Sequence, residues 1–260
     1  MNRRKPKILL WDIESSHNAV LDFELYRRDQ AISHKQIIQE RHLFCICWRW
    51  LGQKKIHSVS ITDNKSRFKK DIHDDYHVIT EFQEVIGKAD AQVYHYGDNF
   101  DLKMFNARLA YHNLKPLPQI ISFDTQKIAG RYFKFNSNRL DYLARHLGYK
   151  GKLDNPPNLW VDCFNGDTKA LTHMVKYCKR DIEVLDFVFQ RLRPHIKNNQ
   201  LNMAMFLEGV VCPTCGGTHL TWSGSRRTRT QKYRRFQCQE CGAWGTSKKA
   251  EKDTYQVEVK

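Results

Sequence analysis

Lys7-Ile-Leu-Leu-Trp-Asp-Ile-Glu14 is a short apolar run that delivers two carboxylates, Asp12 and Glu14, from its far end. Its length and composition read as a buried β-strand. Residues two apart on a strand point to the same face, so both acids project together into one site. Two neighbouring carboxylates at the end of a buried strand repel, and a divalent cation is the usual remedy. Asp-x-Glu alone is a weak signal, so a metal site here requires further ligands from elsewhere in the chain.

The 260 residues leave room for one substantial domain and a small one, and 41% hydrophobic residues suffice for a packed core. Lys and Arg outnumber Asp and Glu by 43 to 28, a net charge of +15. That excess favours a polyanionic partner, nucleic acid being the commonest, over the alternative of a merely basic soluble protein. No run of 18 apolar residues is present, so no membrane partner is expected. Met-Asn-Arg-Arg-Lys-Pro leads directly into the first strand without a secretory apolar region. The expectation is a cytoplasmic protein in a reducing compartment, with association with the nucleoid left open.

The eight cysteines fall into two sets. Cys45, Cys47, Cys163 and Cys178 are scattered among apolar or helical positions and read as small buried hydrophobes. Cys212, Cys215, Cys238 and Cys241 form two Cys-x-x-Cys pairs and read as a metal site.

Taken in order, 7–13 is the opening strand and 19–26 a second strand or an extended loop. Residues 27–42 are expected to be irregular. Strands follow over 43–51 and 55–61, joined at Gly52-Gln53, with a charged loop over 63–76. A helix capped by Thr80 and Gln83 runs to about Lys88. Strand 91–96, a turn at 97–99 and a helix over 100–113 come next, then a strand over 119–123 ending at Asp124-Thr125, a helix cap. Asn138–Gly148 is a short helix, 149–168 a loop, and 169–196 the longest helix, with an apolar stripe from Leu171 to Leu192. This order predicts an α/β domain with a mixed sheet.

Asp101 follows a strand at the start of a helix, where it is either a third metal ligand or a helix-capping residue. Tyr177 and Asp181 lie four apart inside the long helix, hence on one face. A Tyr hydroxyl beside a metal-bound carboxylate can orient an attacking water; otherwise the pair belongs to an ordinary amphipathic helix. Tyr96, Phe100 and Tyr132 offer rings for stacking on terminal bases or for packing.

Together Asp12-Ile-Glu14, Asn99-Phe-Asp101 and Tyr177-x-x-x-Asp181 resemble the three motifs of the DEDD 3′–5′ exonucleases, the DnaQ-like members of the ribonuclease H-like superfamily. The resemblance covers roughly residues 6–195. The His subtype carries its His five residues before the last Asp, and that position is Lys176, so the Tyr subtype fits better. The resemblance implies a ribonuclease H-like mixed sheet flanked by helices over residues 1–196. It also implies two Mg²⁺ or Mn²⁺ ions held by Asp12, Glu14, Asp101 and Asp181, with Tyr177 orienting water, and a nucleoside 5′-monophosphate product. Carboxylates without Cys or His suit such hard ions.

After a connector at 197–209, the two Cys-x-x-Cys-Gly turns predict a small zinc ribbon over 210–247, with one structural Zn²⁺ held by Cys212, Cys215, Cys238 and Cys241. A polar tail occupies 248–260. Between the pairs, Arg226, Arg227, Arg229, Lys232, Arg234 and Arg235 are interleaved with Tyr233 and Phe236 and flanked by Trp222 and Trp244. This composition suits phosphate contacts and base stacking, or else a docking arm for replication or repair proteins.

The expected activity is 3′–5′ exonuclease cleavage of single-stranded or frayed DNA. An RNA exonuclease of the same fold, or a non-catalytic nucleic-acid-binding accessory protein, remains as an alternative.

Overall fold

The structure, a computed structural model, describes residues 4–22, 31–196 and 201–251. Among them the strands are β1 (Ile8–Ser15), β2 (Ala19–Val20), β3 (Ile37–Gln39), β4 (Leu43–Trp50), β5 (His57–Ser60), β6 (Ala91–Tyr94), β7 (Ile121–Asp124), β8 (Leu220–Arg227), β9 (Lys232–Cys238) and β10 (Trp244–Thr246). The helices are α1 (Lys65–Lys70), α2 (Tyr76–Ile86), α3 (Asp101–Tyr111), α4 (Thr125–Tyr132), α5 (Leu140–His146), α6 (Leu159–Phe164) and α7 (Thr168–Leu192).

The main sheet is mixed and ordered β5-β4-β1-β6-β7. The central β1 runs antiparallel to β4 and parallel to β6, so it is paired on both edges. That position explains its near-continuous apolar sequence. Odd-numbered residues of β1 pack into an aromatic cluster in which Trp11 meets Phe82, Tyr94 and Phe105 at centroid distances of 5.1, 5.8 and 6.2 Å. The buried Trp11 indole donates to Gln92 Oε1 at 3.1 Å. Ile8 and Leu10 point the other way, into a core with Val184, Leu185 and Val188 of α7. Asp12 and Glu14 continue that second face, which places them under α7. The expected α/β architecture, a mixed sheet flanked by helices, is what the chain adopts.

Several local expectations differ. The helix predicted from Thr80 starts at Tyr76, after Asp75. Asp75 does not cap it; the carboxylate is fully buried, accepts from Leu43 N–H at 2.9 Å and forms a two-pronged pair with Arg108 at 2.8 Å. The Thr80 hydroxyl donates back to the carbonyls of Tyr76 and His77. The charged loop at 63–76 contains α1, capped by Asn64 through the N–H of Arg67. The loop at 149–168 contains α6, with Leu159 and Cys163 buried. Residues 34–39, expected to be irregular, form a short 3₁₀ turn and β3. Asn138 does not cap its helix, whose cap position is Arg139. Residues 23–30 of the expected second strand and irregular segment lie outside the described residues, as do 197–200 and 252–260.

The C-terminal part carries a separate antiparallel sheet ordered β10-β9-β8. No helix among the described residues is long and apolar enough to cross a membrane.

Candidate carboxylate site and four-cysteine cluster

The four acids are electrostatic neighbours brought together from three elements, with Asp12 and Glu14 the close pair, within 4.8 Å. Asp12 and Glu14 leave the C-terminal end of β1, Asp101 opens α3 directly after the β6 turn, and Asp181 sits midway along α7. Asp101 Oδ1 accepts the backbone N–H of Ile13 at 3.2 Å, which ties the start of α3 to the strand between the first two acids. Glu14, Asp101 and Asp181 are buried, at 8, 3 and 2% exposure, while Asp12 keeps partial contact with solvent.

Burial pushes all four carboxyls upward. Asp12 and Glu14 stand well above the usual carboxylate range, raised by burial first and then by Cys178 and the charges of Asp101 and Asp181. Asp101 is raised to about 7 by burial, against backbone hydrogen bonds that pull it down. Asp181 is raised by burial and partly relieved by Lys152. Such a cluster is electrostatically incomplete: it gains whenever a cation enters.

One cation is already present. Lys152 Nζ donates to Asp181 Oδ2 and to the Tyr177 hydroxyl, the latter at 3.4 Å, and lies over the Tyr177 ring. Asp181 Oδ1 remains buried without a hydrogen-bond partner. An orphaned carboxylate oxygen among four neighbouring acids, three of them buried, fits a hard divalent ion, whose oxygen ligands these acids would be.

Sequence reasoning missed Lys152, because it lies in a Gly- and Pro-containing loop that shows no periodicity. Its loop is held by Asp141, which accepts Lys152 N–H at 2.7 Å, and by Arg180, which donates to Gly151 O at 3.2 Å. A Cβ on Gly151 would come within 2.2 Å of Asp141 Oδ1 and 2.5 Å of Arg145 Nε, so a larger residue there would push these two side-chain ends aside. Cys178 was also read as simple packing, yet its thiol donates weakly to Asp12 O at 3.6 Å and reaches Asp12 Oδ2 at 3.8 Å.

Two exposed aromatic rings lie in the turn that leads into Asp101. Tyr96 is 44% exposed and adopts φ +64°, a left-handed conformation unusual for a bulky residue; its N–H donates to Asp124 Oδ1 at 3.0 Å. Phe100, 36% exposed, immediately precedes Asp101. Tyr132 packs against the second core cluster instead.

The four C-terminal cysteines also converge. Cys212 and Cys241 sulfurs lie 3.8 Å apart, and Cys215 and Cys238 lie 3.7 Å apart. A tetrahedral ion with metal–sulfur bonds of about 2.3 Å has sulfur–sulfur edges of roughly 3.8 Å, so the cluster fits a structural zinc ion. The two turns are built alike: Gly216 and Gly242, at φ +83° and +79°, donate to the carbonyls of Cys212 and Cys238, each at 2.8 Å. The buried Arg193, just past α7, faces the cluster; burial pushes its guanidinium down, opposed by Cys215, Cys241 and Cys212.

On the hairpin, Arg226, Arg227, Arg229, Arg234 and Arg235 are exposed, and Lys232 and Tyr233 half-buried. Arg234 lies over the Trp222 ring at 4.8 Å and Arg235 over Trp244 at 4.6 Å, with both indoles exposed. Lys232 pairs with Glu251 at 2.8 Å, so part of its charge is spent internally.

A family model of the RNase H superfamily matches residues 48–193, more than half of the chain. The chain belongs to that superfamily. Asp101, Tyr177 and Asp181 lie within the matched span, and Asp12 and Glu14 precede it. Among solved structures, the superfamily domain here is similar to the family B DNA polymerase from the hyperthermophilic archaeon Pyrobaculum calidifontis, with a TM-score of 0.54 and 14% identity. That likeness covers 74% of this chain and 25% of the polymerase, so the chain spans about a quarter of that protein's length, and the resemblance is one of fold. A comparison with curated proteins finds no match.

Proposed function

We propose that the chain is a metal-dependent 3′–5′ exonuclease of the DEDD type, Tyr subtype, with residues 1–196 as its catalytic domain and 210–247 as a zinc ribbon. The observation that carries this reading is the convergence of Asp12, Glu14, Asp101 and Asp181, with one buried oxygen of Asp181 left without a partner. Asp12, Glu14, Asp101 and Asp181 would hold two Mg²⁺ or Mn²⁺ ions, which when bound supply a more acidic water and offset charge on the leaving oxygen.

The chain's own groups do the rest. The Tyr177 hydroxyl is raised above its ordinary pKa, chiefly by burial and next by Asp181, so it stays protonated and acts by orienting water rather than as a base. Lys152 fixes both Tyr177 and Asp181 and brings positive charge to the place where a scissile phosphate would lie. Tyr96 and Phe100 offer exposed rings for the terminal bases.

DNA is the preferred substrate, on the motif resemblance and the fold shared with a DNA polymerase; RNA is the alternative. In the ribbon, Cys212, Cys215, Cys238 and Cys241 hold Zn²⁺, and Arg226, Arg227, Arg229, Lys232, Tyr233, Arg234 and Arg235 contact nucleic acid. The test is digestion of matched single-stranded DNA and RNA oligonucleotides with Mn²⁺, by the parent and by Asp12→Ala. Mononucleotides from the parent alone support the reading; binding without cleavage would favour a non-catalytic nucleic-acid-binding protein.

A further inference from the structure

The register of β1 against β4 has a chemical consequence. Asp12 pairs with Cys47 and Glu14 with Cys45, and directly paired residues share a face. Two thiols therefore lie beside the two acids, on the face that α7 covers, and α7 lowers Cys178 onto the same spot. The sulfurs of Cys45, Cys47 and Cys178 all lie within 4.8 Å of one another, and all three residues are fully buried. The four sulfurs of the ribbon meet the same distance limit.

Core cysteines ordinarily pack singly as small hydrophobes. Here three converge from two elements, and Cys178 also closes a second donor group with Asp12 and Glu14. The present hydrogen bonds are weak: Cys47 donates to Val175 O at 3.8 Å and Cys178 to Asp12 at 3.6 Å. Few hydrogen bonds are lost when an ion replaces these protons, although the Cys178 thiol, by burial, and the Cys45 thiol, by contact with the other two sulfurs and by burial, stay well above their ordinary range until one does.

We propose that Cys45, Cys47 and Cys178 form a second sulfur site, beneath the carboxylate cluster, that takes a thiophilic ion such as Cd²⁺, Zn²⁺ or Cu⁺, with Asp12 as an oxygen ligand from above. Soft thiolates select such ions over Mg²⁺ or Mn²⁺. A divalent ion binding three thiols releases three protons; with ionised Asp12 as the fourth ligand the site carries two net negative charges, which Lys152, a neighbour of Asp12, and Lys179, a neighbour of Cys47, offset. An ion here draws Asp12 away from the hard-metal position, so the site inhibits cleavage. That inhibition rests on the nuclease reading; occupancy of the site does not.

The test titrates the full-length, zinc-loaded protein with Cd²⁺ over hours, since all three sulfurs are buried, and follows the near-ultraviolet thiolate-to-metal absorption together with bound metal per chain. The expected result is absorption from seven thiolate ligands, against four in Cys45→Val/Cys47→Val. The added equivalent should lower Mn²⁺-dependent cleavage at least tenfold in the parent and leave the double variant unaffected. Absorption from only four thiolates in the parent overturns the proposal, whether or not the variant folds, and so does a seven-thiolate signal that persists in the variant. Seven thiolates in a parent that never cleaves would uphold the site and sink the nuclease reading instead.

Discussion

Lys152 places its ammonium against the Asp181 carboxylate, the only cation that the described structure brings to the four acids by a direct hydrogen bond. The same nitrogen reaches the Tyr177 hydroxyl at 3.4 Å, so one side chain positions two of the proposed catalytic groups. Lys152→Met should lower kcat by about 10- to 100-fold, the worth of one charge-assisted hydrogen bond, with oligonucleotide binding largely kept. Gly151→Ala should lower kcat less, because its Cβ meets only the ends of the Asp141 and Arg145 side chains, which can swing aside at the cost of the Asp141 bond to Lys152 N–H. Unchanged kcat in both variants, measured at saturating substrate, would remove Lys152 from the machinery.

His42 gives a pH dependence that is independent of metal. It is buried, shares a hydrogen bond with Ser16 at 3.1 Å and faces His73 at 3.4 Å. Burial, and then His73, push its imidazole down to about 4. The unfolded chain, with an ordinary His near 6.5, takes up that proton first, so stability is lost as pH falls from about 6.5 towards 4. In urea unfolding, the stability difference between the parent and His42→Asn should shrink by on the order of 2–3 kcal/mol across that window. A constant difference would contradict the assignment.

The ribbon should hold one zinc ion, so zinc content after gel filtration should fall by one ion per chain on Cys238→Ser. A closed four-thiolate site carries net negative charge, and the buried Arg193 is a counter-charge that feels Cys215, Cys241 and Cys212. Arg193→Leu should weaken zinc retention against a chelator by about tenfold, as outer partners of metal sites commonly do. Equal retention would make Arg193 a packing residue only.

Neutralising Arg226, Arg227 and Arg229 should weaken binding to single strands and flatten its salt dependence. If each contacts one phosphate, the slope of log affinity against log salt falls by about 2. An unchanged slope would turn the hairpin towards protein docking.

The four acids were legible because each sits at a place that short-range pattern marks: a strand end, a strand-to-helix junction, a strongly amphipathic helix. The paired cysteines were legible for the same reason, through their repeated turn. What escaped notice depends on contacts between distant segments. The start of α2 is set by Asp75 reaching Leu43 and Arg108, not by a local cap. α1 and α6 are each six residues long, too short to show a period. Lys152 and the Cys45–Cys47–Cys178 group acquire meaning only once β4, α7 and the 149–158 loop are folded against β1.

The most direct test is a time course with Mn²⁺ on one single-stranded DNA labelled separately at its 3′ and 5′ ends. The account predicts immediate release of labelled mononucleotide from the 3′-labelled strand, stepwise shortening of the 5′-labelled one, and neither with Asp12→Ala. Internal fragments, release from the 5′ end first, or cleavage that survives Asp12→Ala would contradict it.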